Sequence, residues 1–305
     1  MRVIGAVDLG GTKIAAGAVT ENGAILSRLE CPTAPEEGFA AAMGRTREML
    51  REAARRAGAA FDGIGIASSG PVDPNTGILG DVGTLPGWRG GNLAAELAGV
   101  FGVPAAVEND ADGAALGEAR WGVGAHSNRF LYVTVSTGIG GGIVLGGELY
   151  RGVEGAHPEV GHQTIDPSGP LCYCRARGCW ESLASGTAME AWVREQRPEG
   201  ARLAPAEICR LAAEGDELAG RAVEREGYYL GLGLANLVTL FAPDTIALGG
   251  GMMKSAHLFL DRARVVVLEL CTQVPAAKTR ITTAALGTNA GLAGAAQAWL
   301  NRYRA

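Results

Sequence analysis

The chain has 305 residues, 47% of them hydrophobic, and a formal charge of −5 without any long basic run. That length suits two cores rather than one, and the acidic balance excludes the electrostatic footprint of a nucleic-acid or anionic-membrane binder, which leaves a small ligand as the partner. The strand-like run Val3 to Leu9 is too short and, with Asp8, too acidic for a signal peptide, and the apolar stretch Tyr228 to Phe241 falls short of a bilayer span, so a cytoplasmic protein without a membrane partner is expected.

Three antiparallel strands open the chain: Val3 to Asp8, Ile14 to Val19 and Ala24 to Leu29, joined by Gly10-Gly11 and Asn22-Gly23 turns. Helical spacing follows over 36–57, then a short buried strand over 64–67, a helix over 92–100 and a strand over 103–108 that runs into Asn109-Asp110. Helical composition resumes over 111–121. From Phe130 the opening plan repeats: Leu131 to Val135, a turn through Ser136 to Gly140, Gly141 to Leu145, a Gly146-Gly147 turn, and Glu148 to Tyr150. A duplicated strand, glycine turn and strand implies two related α/β domains. Further helices are expected at 205–213, 216–241, 255–270 and 288–300, with strands at 245–248 and 281–285. The first domain is placed at 1–110, completed by the C-terminal helix 288–305, and the larger second domain at 111–287.

Cys172, Cys174 and Cys179 lie within eight residues, ten residues after His162, in a chain with only six cysteines and four histidines. A Cys3His set of this kind suits tetrahedral zinc, with 162–181 as the binding segment. Cys31, Cys209 and Cys271 read as isolated reduced thiols. Asp8-Leu9-Gly10-Gly11-Thr12-Lys13 joins two strands, so it is neither a Walker A loop nor a dinucleotide fingerprint, both of which open a helix. It is either a plain hairpin or a turn whose backbone N–H groups and Thr12 hydroxyl hold phosphate, with Asp8 on Mg²⁺ through water. Thr137-Gly138 occupies the equivalent turn of the second repeat, and Gly249-Gly250-Gly251 follows a strand, where adenine and ribose can approach the backbone. Asp110, at a strand end before a helix, is either a catalytic base or part of a helix cap.

Together, the Asp8 to Lys13 turn, Asn109-Asp110, the Glu159-x-Gly-His162 run and the Cys-x-Cys-x4-Cys set resemble the ROK family of sugar kinases and regulators, collinearly from residue 3 to about residue 294. The resemblance implies two ribonuclease H-like (actin-like ATPase) domains facing an interdomain cleft, ATP and Mg²⁺ as cofactors beside Zn²⁺, and a homodimer or homotetramer. It implies Asp110 as the catalytic base acting on a hexose, with Ser69, Gly70, Asn109, Glu159, His162 and Glu181 around the sugar. His162 then both ligates zinc and offers its second nitrogen to a sugar hydroxyl. Trp88 is either a stacking surface for the pyranose or a packing anchor. Arg175 stands where the family commonly has Gly, and His157-Pro158 before Glu159 looks like the fructokinase-like branch while the cysteines look glucokinase-like. Phosphorylation of glucose at the 6-hydroxyl is the reading adopted. N-acetylmannosamine, N-acetylglucosamine, fructose and allose stay open as acceptors, and a sugar-responsive regulator is the rival from another class.

Overall fold

The computed structural model describes residues 1–197 and 202–303. They form two compact units, one of Met1–His126, Gly142–His157 and the chain from Ala285 onward, the other of Ser127–Gly141 and Pro158–Ala284. Among the described residues, no helix is long and apolar enough to cross a membrane.

The first unit begins with the expected meander of β1 (Val3–Leu9), β2 (Lys13–Thr20) and β3 (Ile25–Pro32), followed by α1 (Phe39–Ala57), β4 (Gly63–Ser68), α2 (Leu93–Phe101), β5 (Ala105–Asn109) and α3 (Asp110–Trp121). Its sheet runs β3-β2-β1-β4-β5, with β4 parallel to both β1 and β5. The strands are apolar on both faces because both are covered. Val7, Leu9, Ile14 and Ile66 pack with Met43 and Leu50 of α1. On the opposite face Ile4, Ala6, Ala15 and Ala67 meet Leu292, Ala295 and Trp299 of the C-terminal helix.

The rest of the chain supplies β6 (Arg129–Val135), β7 (Ile139–Leu145), β8 (Glu148–Leu149), α4 (Glu181–Ala184), α5 (Gly186–Gln196), α6 (Pro205–Ala213), α7 (Glu217–Phe241), β9 (Thr245–Gly249), α8 (Leu260–Leu270), β10 (Arg280–Thr283) and α9 (Ala290–Arg302). The second sheet runs β10-β9-β6-β7-β8. Read from the other edge, this is the order of the first sheet, so the duplication expected from the glycine turns extends to the whole sheet.

Three details differ from the sequence reading. Helix 255–270 is in fact a 3-10 segment, Gly251–Leu258, and α8, broken at Phe259, whose φ of −134° is not helical. Helices α4 and α5 were not expected, the first being only four residues long. The first unit also continues past residue 110 to His126. Helix α3 belongs with it because glycines let α3 and α9 touch backbone to backbone: a Cβ on Gly294 would stand 1.7 Å from the Gly113 carbonyl oxygen. Gly65 of β4 is fixed similarly, with 1.9 Å to the Ala295 oxygen.

Candidate active site

In the first unit the polar groups collect where β1, β4 and β5 end. Asp8 follows Ile4 and Ala6 on the α9 face of β1, and Gly291 of α9 leaves it room, since a Cβ there would stand 2.2 Å from Asp8 Oδ2. Asn109 is the N-cap of α3, its Oδ1 accepting from Ala111 N at 2.8 Å and Asp112 N at 3.4 Å. The cap is therefore carried chiefly by Asn109. Asp110 accepts from Ala111 N at 2.8 Å through Oδ1 and from Ser69 Oγ at 3.0 Å through Oδ2. Gly70 closes on the same place, and a Cβ on it would meet Asn109 Nδ2 at 2.8 Å. Ser69, Gly70, Asn109 and Asp110 are thus one cluster, drawn from the ends of two adjacent parallel strands.

Burial pushes the Asp110 carboxyl up, opposed by the hydrogen bonds from Ser69 and Ala111. Burial also pushes Asp8 to about 6, with the charge of Asp110 adding to it. Two carboxyls displaced upward, one acting on the other, can take up a proton or share a cation.

In the turn after β1, Gly11 is needed for close approach rather than for left-handed backbone. A Cβ on Gly11 would stand 2.5 Å from Thr84 Cβ, and Gly10 N donates to Lys13 O at 3.0 Å. The Thr12 backbone carbonyl accepts from Thr33 N, while Lys13 Nζ is taken up by Glu30 at 2.5 Å. Trp88, one of the two alternatives left open above, is a packing anchor: it is 1% exposed, donates its indole N–H to Pro35 O at 3.1 Å and stacks edge-on against Phe39.

In the second unit the turn from Ser136 to Gly140 sits directly on Glu181, the first residue of α4. Ile139 N donates to Glu181 Oε2 at 2.8 Å, and a Cβ on Gly138 would be 2.2 Å from that oxygen. The glycine turn and a carboxylate assigned to different ligands are thus in contact. His162 turns Nδ1 toward Cys172 Sγ at 3.6 Å and Nε2 toward Tyr173 Oη at 2.8 Å, with the two rings edge to face. Burial, then the charges of Glu181 and Glu159, push the Tyr173 phenol to about 12. Tyr173 was not singled out in the sequence, although its place between two cysteines was a usable signal.

The ligand atoms of His162, Cys172, Cys174 and Cys179 all lie within 4.8 Å of one another, and Cys174 Sγ is 3.5 Å from Cys179 Sγ. Arg175, in the position that departs from glycine, adopts φ 75°, the left-handed region that glycine favours.

A cavity of about 370 Å³ lies within the second unit, with Ser136, Thr137, Gly186, Thr187, Glu190, Cys209, Gly251, Met252 and Lys254 on its walls. The size suits a small organic ligand. Thr137 and Gly251, picked out from sequence, reach it. Gly249 and Gly250 instead let the strand end close against its neighbour: Cβ atoms there would meet Tyr132 Oη at 2.1 Å and the Val135 oxygen at 2.4 Å. Thr187, Glu190 and Lys254 were missed because the wall is assembled from separate segments, none of which carries a motif by itself.

The sequence model of the ROK family matches residues 4–302. A glucokinase of Thermotoga maritima is 32% identical, the alignment covering 97% of this chain and 96% of that protein. Among solved structures, a ROK hexokinase from Thermus thermophilus superposes with a TM-score of 0.87 at 36% identity, over 99% of this chain and 100% of that one. A ROK family glucokinase from Streptomyces griseus in complex with glucose and AMPPNP gives a TM-score of 0.81 at 33% identity, covering 96% and 98%.

Proposed function

Since the chain belongs to the ROK family, we propose that it transfers the γ-phosphoryl group of ATP to the 6-hydroxyl of a hexose, with glucose as the acceptor. The observation that carries this reading is Asp110, a half-buried carboxyl at the first turn of α3, held by the Ser69 hydroxyl and displaced upward from its ordinary range. A base must lie within hydrogen-bond reach of the attacking hydroxyl and hold the proton only as the new P–O bond forms. Asp110 takes the 6-hydroxyl proton, and the oxygen attacks the γ-phosphorus as the bond to ADP breaks.

Ser69 orients the base. Asn109 spends its oxygen on capping, which leaves its amide N–H groups for a sugar hydroxyl, and Gly70 keeps the approach open. Glu159, His162 and Glu181 supply further partners for ring hydroxyls, with the sugar replacing Tyr173 at His162 Nε2. Such polar partners reject acceptors that lack a hydroxyl. The cavity walled by Thr137, Glu190 and Gly251 takes the adenosine, and the Gly10 to Lys13 and Thr137-Gly138 turns take the phosphates.

Two metals fit this chemistry. Asp8, pushed to about 6 by burial and by the charge of Asp110, would hold a divalent cation, and Mg²⁺ there would neutralise phosphate charge. Tetrahedral zinc sets its sulfur and nitrogen ligands about 3.5–3.8 Å apart, and the 3.5 and 3.6 Å separations among His162, Cys172, Cys174 and Cys179 suit it. When bound, zinc fixes this loop and the His162 ring. Self-association through the exposed apolar residues Leu240, Leu268 and Leu270 of α7 and α8 belongs to the same reading.

The test is ADP release from Mg·ATP by the wild-type protein and Asp110→Asn across glucose, mannose, fructose, allose, N-acetylglucosamine and N-acetylmannosamine. A glucose response abolished in the variant supports reaction, acceptor and base. A response to another sugar alone moves the acceptor, and silence with all six overturns the kinase reading.

A further inference from the structure

His157 plays no part in the reaction as described above, yet it stands against the helix that carries the base. Asp112, two residues beyond Asp110 in the first turn of α3, is wholly buried. An enclosed carboxylate is tolerated only when its charge is balanced and its oxygens are held. Two cationic groups meet it: Arg151, which bridges Asp112 and Glu108, and His157, whose Nδ1 lies 2.8 Å from Asp112 Oδ2. Arg151 is shared between two carboxyls here, and His157 gives Asp112 a second partner. His157 is itself only 15% exposed and also acts electrostatically on Asp110.

The covalent context adds a second role. Pro158 follows His157 and restricts the backbone on both sides of the bond between them, and Glu159 comes next. Fixing the imidazole against α3 therefore fixes the start of the run that carries Glu159.

We propose that His157 is a positioning residue for the phosphoryl transfer: its contact with Asp112 holds the first turn of α3, and with it Asp110, and anchors the chain leading to Glu159. This rests on the reading of Asp110 as the base. The groups facing Asp110 are Asp8 on β1, Ser69 beyond β4, Asp112 on α3 and His157 after β8. Asp112 and His157 in turn face Arg151, with Glu108 on β5 and Arg302 on α9 beyond it. Glu108, pushed to about 7 by burial against the pull of Arg151, is the other member of this network able to hold the proton that His157 lacks when neutral.

The experiment compares His157→Ala, His157→Asn and Asp110→Asn with wild type in the full-length protein, using the best acceptor of the six-sugar panel, from pH 5 to 9, with thermal melts as the folding control. Alanine removes both contact and charge. It is expected to lower kcat/KM for the sugar by about 10- to 100-fold, the range that a small misplacement of reacting groups produces, while KM for ATP stays within about twofold. The acid limb of kcat/KM moves to higher pH, because the positive charge that favours ionised Asp110 is gone. Asparagine restores an N–H where Nδ1 stood but no charge, so it recovers most of the rate and leaves the limb displaced. The proposal is overturned by an unmoved limb in both variants, by equal losses toward sugar and ATP, or by an asparagine variant as slow as alanine. If alanine does not fold, the limb of the asparagine variant decides. An active Asp110→Asn variant sinks the base assignment instead, and an inactive one beside an unmoved His157 limb sinks this inference alone.

Discussion

Glu226, in the middle of α7, offers a quantitative test of the second unit's core. It is 1% exposed, and neither carboxyl oxygen has a hydrogen-bond partner among the described residues. Burial pushes it from 4.5 to about 8, only partly offset by the charge of Arg225. The unfolded chain loses this proton near 4.5 and the folded chain near 8, so between those values the folded state holds a proton that the unfolded state has released, and stability falls as pH rises. Integrated over the window, the penalty is about 5 kcal/mol above pH 9, about 3 kcal/mol at pH 7 and under about 1 kcal/mol at pH 5. Local relaxation and water entry reduce these figures by roughly half. Replacing the side chain with one of similar volume and no charge removes the titration. Glu226→Met is therefore expected to melt about 3–4 °C above wild type at pH 8 and nearly level with it at pH 5, taking about 2 cal/mol/K of unfolding entropy per residue over the chain. Thermal melts at pH 5, 7 and 9 read this directly. If the two proteins lose stability in parallel from pH 5 to 9, the buried carboxyl is not what titrates and the reasoning fails.

Three further outcomes follow from the packing and the site. Gly294→Val drives a side chain into the Gly113 carbonyl and should cost about 3 kcal/mol or more by overpacking, seen as a lowered melting temperature; an unchanged melt would deny the close crossing of α3 and α9. Ser69→Ala removes a hydrogen bond that favours ionised Asp110, so the acid limb of kcat should shift upward, and a downward shift would contradict the sign. Native mass spectrometry should find one zinc per chain in the wild type and none in Cys179→Ser, and full retention by the variant would exclude Cys179 as a ligand.

The local patterns were the legible ones. The opening meander was readable because Gly10-Gly11 and Asn22-Gly23 punctuate runs of apolar residues, and its reappearance after Phe130 foretold the second sheet. The Cys and His cluster was readable for the same reason, all four residues lying within one short segment. What escaped was assembled from a distance. The pairing of α3 with α9 joins residues about 180 apart through glycines that look like helix breakers in sequence. Trp88 gave no sign that its partners would be Phe39 and the Pro35 carbonyl. Glu181 was visible as an acid but not as the anchor of the turn at Gly138, and the balance among Glu108, Asp112, Arg151 and His157 brings together side chains whose sequence spacing has no periodic meaning.

The place of α9 in the first unit has a consequence for how the protein is made. Translation delivers Asp8, Ser69 and Asp110 early, but the helix that covers their sheet and seats Gly291 beside Asp8 leaves the ribosome only after the whole second unit has been synthesised. Until then Ala6, Ala15 and Ala67 lack their covering layer, and the nascent first unit offers an apolar sheet face to chaperones or to other chains. The second unit has no such wait, since its two segments are separated only by 142–157 and end at Ala284. A chain ending at residue 284 should therefore carry a protease-resistant second unit and a protease-sensitive first one, with every proposed catalytic side chain and no means of arranging them.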